Sequence, residues 1–195
     1  MKPRRILVLD GHPDADPARY LHALAAAYRK GAEEAGHEVR VIGIAGQKFP
    51  LLRTAEDFKG QPDAVAVRDA QQALLWAEHV VVLFPLWLGA MPALLKAFLE
   101  QVLRPGFAFA PGPRGLPRKL LAGRSARIVV TMGMPSLFYR LVYRAHSLKS
   151  LERNILGFCG LRPVRASIIG MVDGMSAKAR RGWLDRLTRL GQRAA

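Results

Sequence analysis

The sequence predicts an α/β fold: a five-stranded parallel sheet with helices on both faces. Two observations predict it. Five short strand-like segments, most of them nearly continuous apolar runs, are separated by segments of helical pattern. Runs without polar alternation belong to strands buried on both faces. Strands that alternate with helices call for a parallel sheet joined by right-handed crossovers. The length of 195 residues, half of them hydrophobic, suits one domain over 1–195. A chain of that size buries roughly 70% of its unfolded surface.

Arg5-Ile6-Leu7-Val8-Leu9-Asp10 is the first run, closed by Gly11-His12-Pro13. Asp16-Pro17 reads as a helix start, with Asp as N-cap and Pro at the first helical position. The Ala-rich stretch Ala18–Ala35 has few breakers, and Gly36 follows as a stop. Glu38–Ile44 alternates into a second strand. Ala45–Pro62 contains Gly46, Pro50, Gly60 and Pro62 and reads as irregular, long enough to suggest function. Val65–Trp76 is helical in pattern. His79-Val80-Val81-Val82-Leu83-Phe84 is the strongest strand signal in the chain. Met91–Leu103 reads as a helix opened by Pro92. Gly106–Gly123 is an excursion rich in Pro and Gly. Ala126–Thr131 is a fourth buried strand, Leu137–Phe158 a helical segment with room for a break, and Val164–Gly170 the last strand. Ser176 caps a closing helix, Ala177–Arg193. No repeat, linker or low-complexity segment divides the chain.

The formal charge is +15, spread along the chain and carried mostly by Arg. Besides a solvated basic surface, three readings fit: steering of an anionic dinucleotide, attraction to acidic membranes, and nucleic-acid binding. The last ranks lowest, because no recognition motif and no basic run interleaved with aromatics is present. The single Cys159 can form no internal disulfide, and no Cys/His cluster indicates a metal. Its apolar surroundings, Ile155–Leu161, predict a buried, inert thiol. No apolar stretch reaches the ~20 residues of a membrane helix, and Ile6–Leu9 is too short for a signal-peptide core. A soluble protein of the reducing cytoplasm is expected.

Ligands of parallel sheets bind at the carboxyl ends of strands, near the switch in strand order. That directs attention to three loops. Gly11–Arg19 runs from strand to helix and can offer free backbone N–H groups to a phosphate, with His12 and Arg19 adding positive charge. An ordinary capped turn explains it as well. Pro85–Pro92 is unusually apolar for a strand end: Leu86, Trp87, Leu88 and Met91 surround Gly89. A flat ring stacked near Trp87 with N–H groups along its edge accounts for this, and so does packing under a neighbouring loop. Thr131–Tyr139 carries Gly133, Ser136 and Tyr139. Tyr139 and His146, seven residues apart, share a face if the helix is continuous, and such a pair can stabilise charge on a reduced ring or donate to a quinone oxygen. Packing is the alternative.

Together these segments resemble the flavodoxin-like NAD(P)H:quinone oxidoreductase family, which includes the modulator-of-drug-activity proteins and the ancillary flavoproteins of potassium-efflux systems. Gly11-His12-Pro13, the block Phe84-Pro85-Leu86-Trp87-Leu88-Gly89-Ala90-Met91-Pro92-Ala93-Leu94-Leu95-Lys96, Gly106-Phe107-Ala108-Phe109, Thr131-Met132-Gly133 and Phe158-Cys159-Gly160 carry the resemblance. It implies a flavodoxin-like three-layer fold and a bound flavin, FMN or FAD. It implies NAD(P)H as electron donor, a quinone-like acceptor reduced by hydride transfer in ping-pong fashion, and a homodimer. A flavin-binding regulatory subunit of a membrane transporter, such as a potassium-efflux system, is the alternative. By resemblance, His12 and the loop residues Asp16, Pro17, Ala18 and Arg19 hold the flavin phosphates. Pro85, Leu86, Trp87, Leu88 and Gly89 line the ring, with N–H donors along Leu86–Gly89. Thr131, Met132, Gly133 and Met134 face the pyrimidine end, and Tyr139 and His146 lie beside the acceptor. Pro17 and Arg19 stand where the family usually has a small hydroxyl residue and Asn, and Met134 replaces a second glycine.

Overall fold

The computed structural model describes residues 2–195. Five strands form one sheet: β1 (Arg5–Asp10), β2 (Glu38–Gly43), β3 (His79–Pro85), β4 (Ser125–Thr131) and β5 (Val164–Ile169). Their spatial order is β2-β1-β3-β4-β5, and every pairing is parallel. Successive side chains of a strand point to opposite faces. Ile6 and Val8 therefore enter one core, while Leu7 and Leu9 enter the other. The first core is closed by α1 (Tyr20–Glu34) and α4 (Ala177–Gln192) through Leu21, Leu24, Tyr28 and Leu187. The second is closed by α2 (Val65–Trp76) and α3 (Ala93–Val102) through Val67, Leu74, Leu95 and Phe98. The three layers are those expected, and no described helix is long and apolar enough to cross a membrane.

Several boundaries differ from the sequence reading, each for a local reason. Helix α1 begins at Tyr20, with Arg19 as its N-cap and no side-chain cap. Asp16 caps a turn just before it instead: its Oδ1 accepts from the Ala18 N–H at 2.9 Å and its carbonyl from the Arg19 N–H at 3.0 Å. Ala45–Pro62 is not wholly irregular. Ala55–Lys59 is a short helix, started by a reciprocal capping box between Thr54 and Asp57. Pro92 is the N-cap of α3 rather than a residue inside its first turn. The excursion after α3 holds a small antiparallel hairpin, Phe109–Ala110 with Arg118–Lys119. The segment Leu137–Phe158 is broken more thoroughly than foreseen. A helix over Ser136–Leu141 stops, Arg144 and Ala145 take left-handed backbone angles (φ 49 and 50), and His146–Lys149 restarts and passes into a π-helix over Ser150–Leu156.

Cys159 is buried, and burial pushes its thiol up to about 11, in line with an inert core residue.

Helices α1 and α4 lie unusually close because each presents a glycine to the other. A Cβ on Gly31 would stand 2.0 Å from the Thr188 carbonyl oxygen, and one on Gly191 would stand 2.1 Å from that of Tyr28. Backbone cannot yield as a side-chain tip can. Gly31→Ala is expected to destabilise the protein by about 1–3 kcal/mol, read as a lower urea midpoint at unchanged m-value.

Candidate functional site

The strand order reverses between β1 and β3, since the chain steps from β1 outward to β2 and then returns to the other side. Crevices at such switch points collect ligands. A cleft of about 580 Å³ opens there, at the carboxyl ends of the strands. That volume lies inside the ~300–1,000 Å³ range of small-molecule sites. Its walls come from the β1–α1 loop and first turn of α1 (His12, Asp14, Ala18, Arg19, Tyr20, Leu21), the end of β3 (Pro85, Leu86, Trp87), the end of β4 (Thr131, Met132, Gly133) and the segment after β5 (Val172, Asp173), with Arg180 of α4.

The first wall is held by a network that starts in the core. Asp10, the last residue of β1, is 8% exposed and accepts from the His12 N–H at 3.1 Å. His22, in the first turn of α1, places Nδ1 2.5 Å from Asp10 Oδ2 and Nε2 2.9 Å from the Asp14 carbonyl oxygen. His12 Nδ1 lies 3.1 Å from the Asp14 backbone nitrogen and 3.2 Å from the Asp14 carbonyl oxygen, so it accepts from the first or donates to the second according to its tautomer. Burial, with help from the His22 charge, holds the His12 imidazole below its ordinary pKa. His22 behaves oppositely. Burial opposes its charge, but the hydrogen bonds and charges of Asp10 and Asp14 outweigh that, and its pKa is raised. The two rings sit 5.3 Å apart, one favoured neutral and one charged.

The charge expected from Arg19 is largely spent within the loop. Its guanidinium lies 2.7 Å from Asp14 Oδ2 and 3.6 Å from Asp16 Oδ2. A cation the sequence reading did not single out takes its place. Arg180 stacks over the Tyr20 ring at 4.7 Å and donates to the Val172 carbonyl at 2.6 Å, with no carboxylate partner among the described residues. The backbone N–H groups of Tyr20 and Leu21, at the start of α1, likewise have no acceptor among the described residues. One end of the cleft thus offers a guanidinium and a helix start, both suited to an anion.

The β3 loop is built differently from the expectation. The Leu86 N–H donates to the Thr131 carbonyl at 2.7 Å, tying β3 to β4 beyond the last sheet pair. Trp87 and Ala90 exchange two bonds of 2.9 Å each. Between them Leu88 (φ 46) and Gly89 (φ 76) form the two central residues of a tight hairpin turn with positive φ at both positions. Two of the four N–H groups expected to face a ligand are therefore consumed by the loop's own structure. Trp87 is half exposed, and its ring meets His12 edge-on at 6.2 Å.

The cleft gathers His12, Ala18, Arg19, Pro85, Leu86, Trp87, Thr131, Met132 and Gly133 from the residues singled out in the sequence. Asp16 and Pro17 stand in the loop behind it, Leu88 and Gly89 at the hairpin tip, and Met134 one residue past the β4 wall; none of these lines the cleft. Tyr139 and His146 do not share a helix face, because the left-handed pair Arg144-Ala145 separates them. Tyr139 is 1% exposed; its hydroxyl contacts Ser147 Oγ at 2.7 Å and accepts from the Leu148 N–H at 3.2 Å. It ties the broken segment together instead of facing the cleft. His146 is exposed and outside the cleft. The sequence reading does not single out Val172, Asp173 and Arg180, although the loop after the last strand, Gly170–Ser176, starts from the same edge of the sheet as the other three.

A family model described as the flavodoxin-like fold matches residues 4–190. The chain belongs to this flavodoxin-like family. Among its relatives, the FMN-dependent NADH:quinone oxidoreductase of Bordetella avium is 33% identical over 158 residues, 75% of this chain and 76% of the relative. A glutathione-regulated potassium-efflux system ancillary protein of Shigella dysenteriae is 42% identical over 90 residues, 45% of this chain and 46% of the relative. The chain spans only 57% and 62% of the lengths of two relatives of the ribosyldihydronicotinamide dehydrogenase type. The solved NAD(P)H:quinone oxidoreductase of Methanothermobacter marburgensis shares the fold, with a TM-score of 0.81 at 20% identity and full coverage of both chains.

In this flavodoxin-like chain the hairpin tip carries a local cost. Leucine at positive φ is strained, and the Leu88 side chain is fully exposed, so no packing contact within the chain compensates. Leu88→Asn is expected to raise stability by about 1 kcal/mol, measured by thermal or urea unfolding of the dilute protein.

Proposed function

We propose that the cleft binds FMN and that the protein is an NAD(P)H-dependent oxidoreductase acting on quinone-like small molecules. The carrying observation is the mixed lining of the cleft: the apolar Pro85, Leu86 and Trp87 together with Arg180 and the unpaired N–H groups of Tyr20 and Leu21. A flat, apolar ring system joined to a phosphate matches both sets of residues. Arg180 and the start of α1 would hold the phosphate, the His12 ring and Trp87 would border the flavin ring, and Thr131–Gly133 would meet its pyrimidine edge. FMN fits better than FAD, because Asp14 and Asp16 flank the outer loop and would repel a second phosphate. The FMN-dependent relative supports the same choice. When bound, the flavin would take hydride from NAD(P)H and pass it to the acceptor, the two substrates using one slot in turn and so giving ping-pong kinetics. The chain's own part is binding, orientation and exclusion of water. Leu137, Phe138, Leu141, Val142 and Tyr143 are exposed just after the β4 wall, between 47% and 68%, and support a homodimer that covers this apolar segment. A cytoplasmic setting suits the free, buried Cys159.

A second reading is a flavin-binding ancillary subunit of a membrane transporter. The local similarity to the potassium-efflux ancillary protein and the strongly basic charge favour it. The two differ in turnover: an oxidoreductase oxidises NADH or NADPH continuously when a quinone is supplied, whereas an ancillary subunit co-purifies with its membrane partner and turns over negligibly.

The purified protein should be yellow and release FMN on heating; a colourless protein that takes up neither FMN nor FAD would refute the proposal. Arg180→Ala is expected to weaken FMN binding by about tenfold or more, the loss of one charge-assisted contact, in a fluorescence-quenching titration.

A further inference from the structure

Behind the phosphate-side wall, His22 joins three pieces of chain: the end of β1, the β1–α1 loop and α1 itself. Its Nδ1 faces Asp10 Oδ2 at 2.5 Å, and its Nε2 faces the Asp14 carbonyl oxygen at 2.9 Å. Both partners are acceptors. A carbonyl never donates, and an ionised carboxylate cannot. A neutral imidazole has one N–H and can satisfy only one of them. The imidazolium satisfies both. Asp10 supplies the compensating charge: it is buried at the strand end and its other oxygen is fixed by the His12 N–H at 3.1 Å.

Asp14 is the hub of the loop. Its backbone nitrogen and its carbonyl oxygen both face His12 Nδ1, at 3.1 Å and 3.2 Å, its Oδ1 accepts from the Asp16 N–H at 2.9 Å, and its Oδ2 holds Arg19 at 2.7 Å. Whatever fixes the Asp14 carbonyl therefore fixes His12, Asp16 and Arg19 at once. The other ionisable groups facing this cluster are few. Within the loop, Arg19 is matched by Asp14 and Asp16. Arg180 stands on α4, against Tyr20 of α1. From the β3 side the facing ring is Trp87, which carries no charge.

We propose that His22 is a positioning residue that, as an imidazolium, clamps the Asp14 carbonyl to the end of β1 and so sets the phosphate end of the cleft. The inference rests on the FMN reading given above. It adds that FMN affinity depends on one proton that never touches the flavin. The sign follows from the raised pKa of His22. The clamp is fully formed below the ordinary imidazole pKa and is lost as pH rises through the higher, folded-state value. His12 is already held neutral over that window and does not contribute the loss.

Two measurements on the full chain test this. FMN affinity is titrated against pH for the wild type, His22→Gln and Asp10→Asn, and the imidazole and backbone amide resonances of the flavin-free protein are followed over the same range. The wild type should lose about tenfold in affinity across the His22 transition, the worth of one charge-assisted hydrogen bond. His22→Gln should bind more weakly at low pH with a flat profile, and Asp10→Asn should move the transition to lower pH. In the flavin-free protein, the Asp14 amide should shift together with the His22 ring. A His22→Gln profile that keeps the wild-type pH slope would overturn the proposal, as would a His22 ring that titrates at or below the ordinary value. If no variant binds flavin at any pH, the FMN reading fails by itself. The resonances then decide the clamp: an Asp14 amide that follows His22 supports it, and one that stays fixed refutes it.

Discussion

All five strands run the same way, and both faces of the sheet are covered by helices. The three central strands are buried on both sides and leave little polar surface between their ends. Polar groups from these strands emerge chiefly at the edge where the strands end. Four of the five strands end at the cleft: β1 delivers His12, β3 delivers Pro85–Trp87, β4 delivers Thr131–Gly133, and β5 leads into Val172 and Asp173. The Leu86-to-Thr131 bond of 2.7 Å extends the β3–β4 pairing past the sheet and holds two of these loops at fixed spacing. The site is thus a consequence of the sheet, and its precision is inherited from a rigid core.

The charge distribution at that edge is more subtle than a basic protein suggests. A net charge of +15 does not make the cleft uniformly positive. Asp14 and Asp16 neutralise Arg19, Asp10 balances His22, and Asp173 adds a further carboxylate to the wall. Arg180 is the cation of this wall without a carboxylate partner among the described residues, and it stands beside the unpaired N–H groups of one helix start. Short-range pairing decides local potential here, since distant surface charges are screened over about 8–10 Å at physiological salt. A single focused cation selects an anion by position, which a diffuse positive surface cannot do.

The sheet, its five strands and the four principal helices were legible because each is written in local sequence: continuous apolar runs, and helical segments bounded by Gly36, Pro92 or Ser176. The loops facing the cleft were legible too, because strand ends locate them. What sequence could not convey was pairing between distant groups. Nothing local shows that Asp14 takes the charge of Arg19, that the Leu86 N–H is spent on Thr131, or that Arg180 returns from the last helix to lie over Tyr20. The seven-residue spacing of Tyr139 and His146 misled for a related reason. Spacing implies a shared face only while the helix continues, and the left-handed angles at Arg144 and Ala145 have no glycine to announce them. The capping box at Thr54–Asp57, by contrast, is a local signal, set within a stretch whose Pro and Gly otherwise indicate a loop.

The exposed apolar residues beside the cleft pose a physical problem that a lone chain does not solve. Leu88 stands fully in solvent on a turn that disfavours it, Trp87 is half exposed, and the segment from Leu137 to Tyr143 presents five large apolar or aromatic side chains. Scattered exposed leucines need no explanation, but a concentration of them around one opening does. Strain and exposure at the same residue argue in one direction: they are tolerated where something absent from the single chain covers the side chain. A flat ring against Trp87 would cover part of this surface. A second copy seated on Leu137–Tyr143, as proposed above, would cover the apolar segment that the ring leaves exposed.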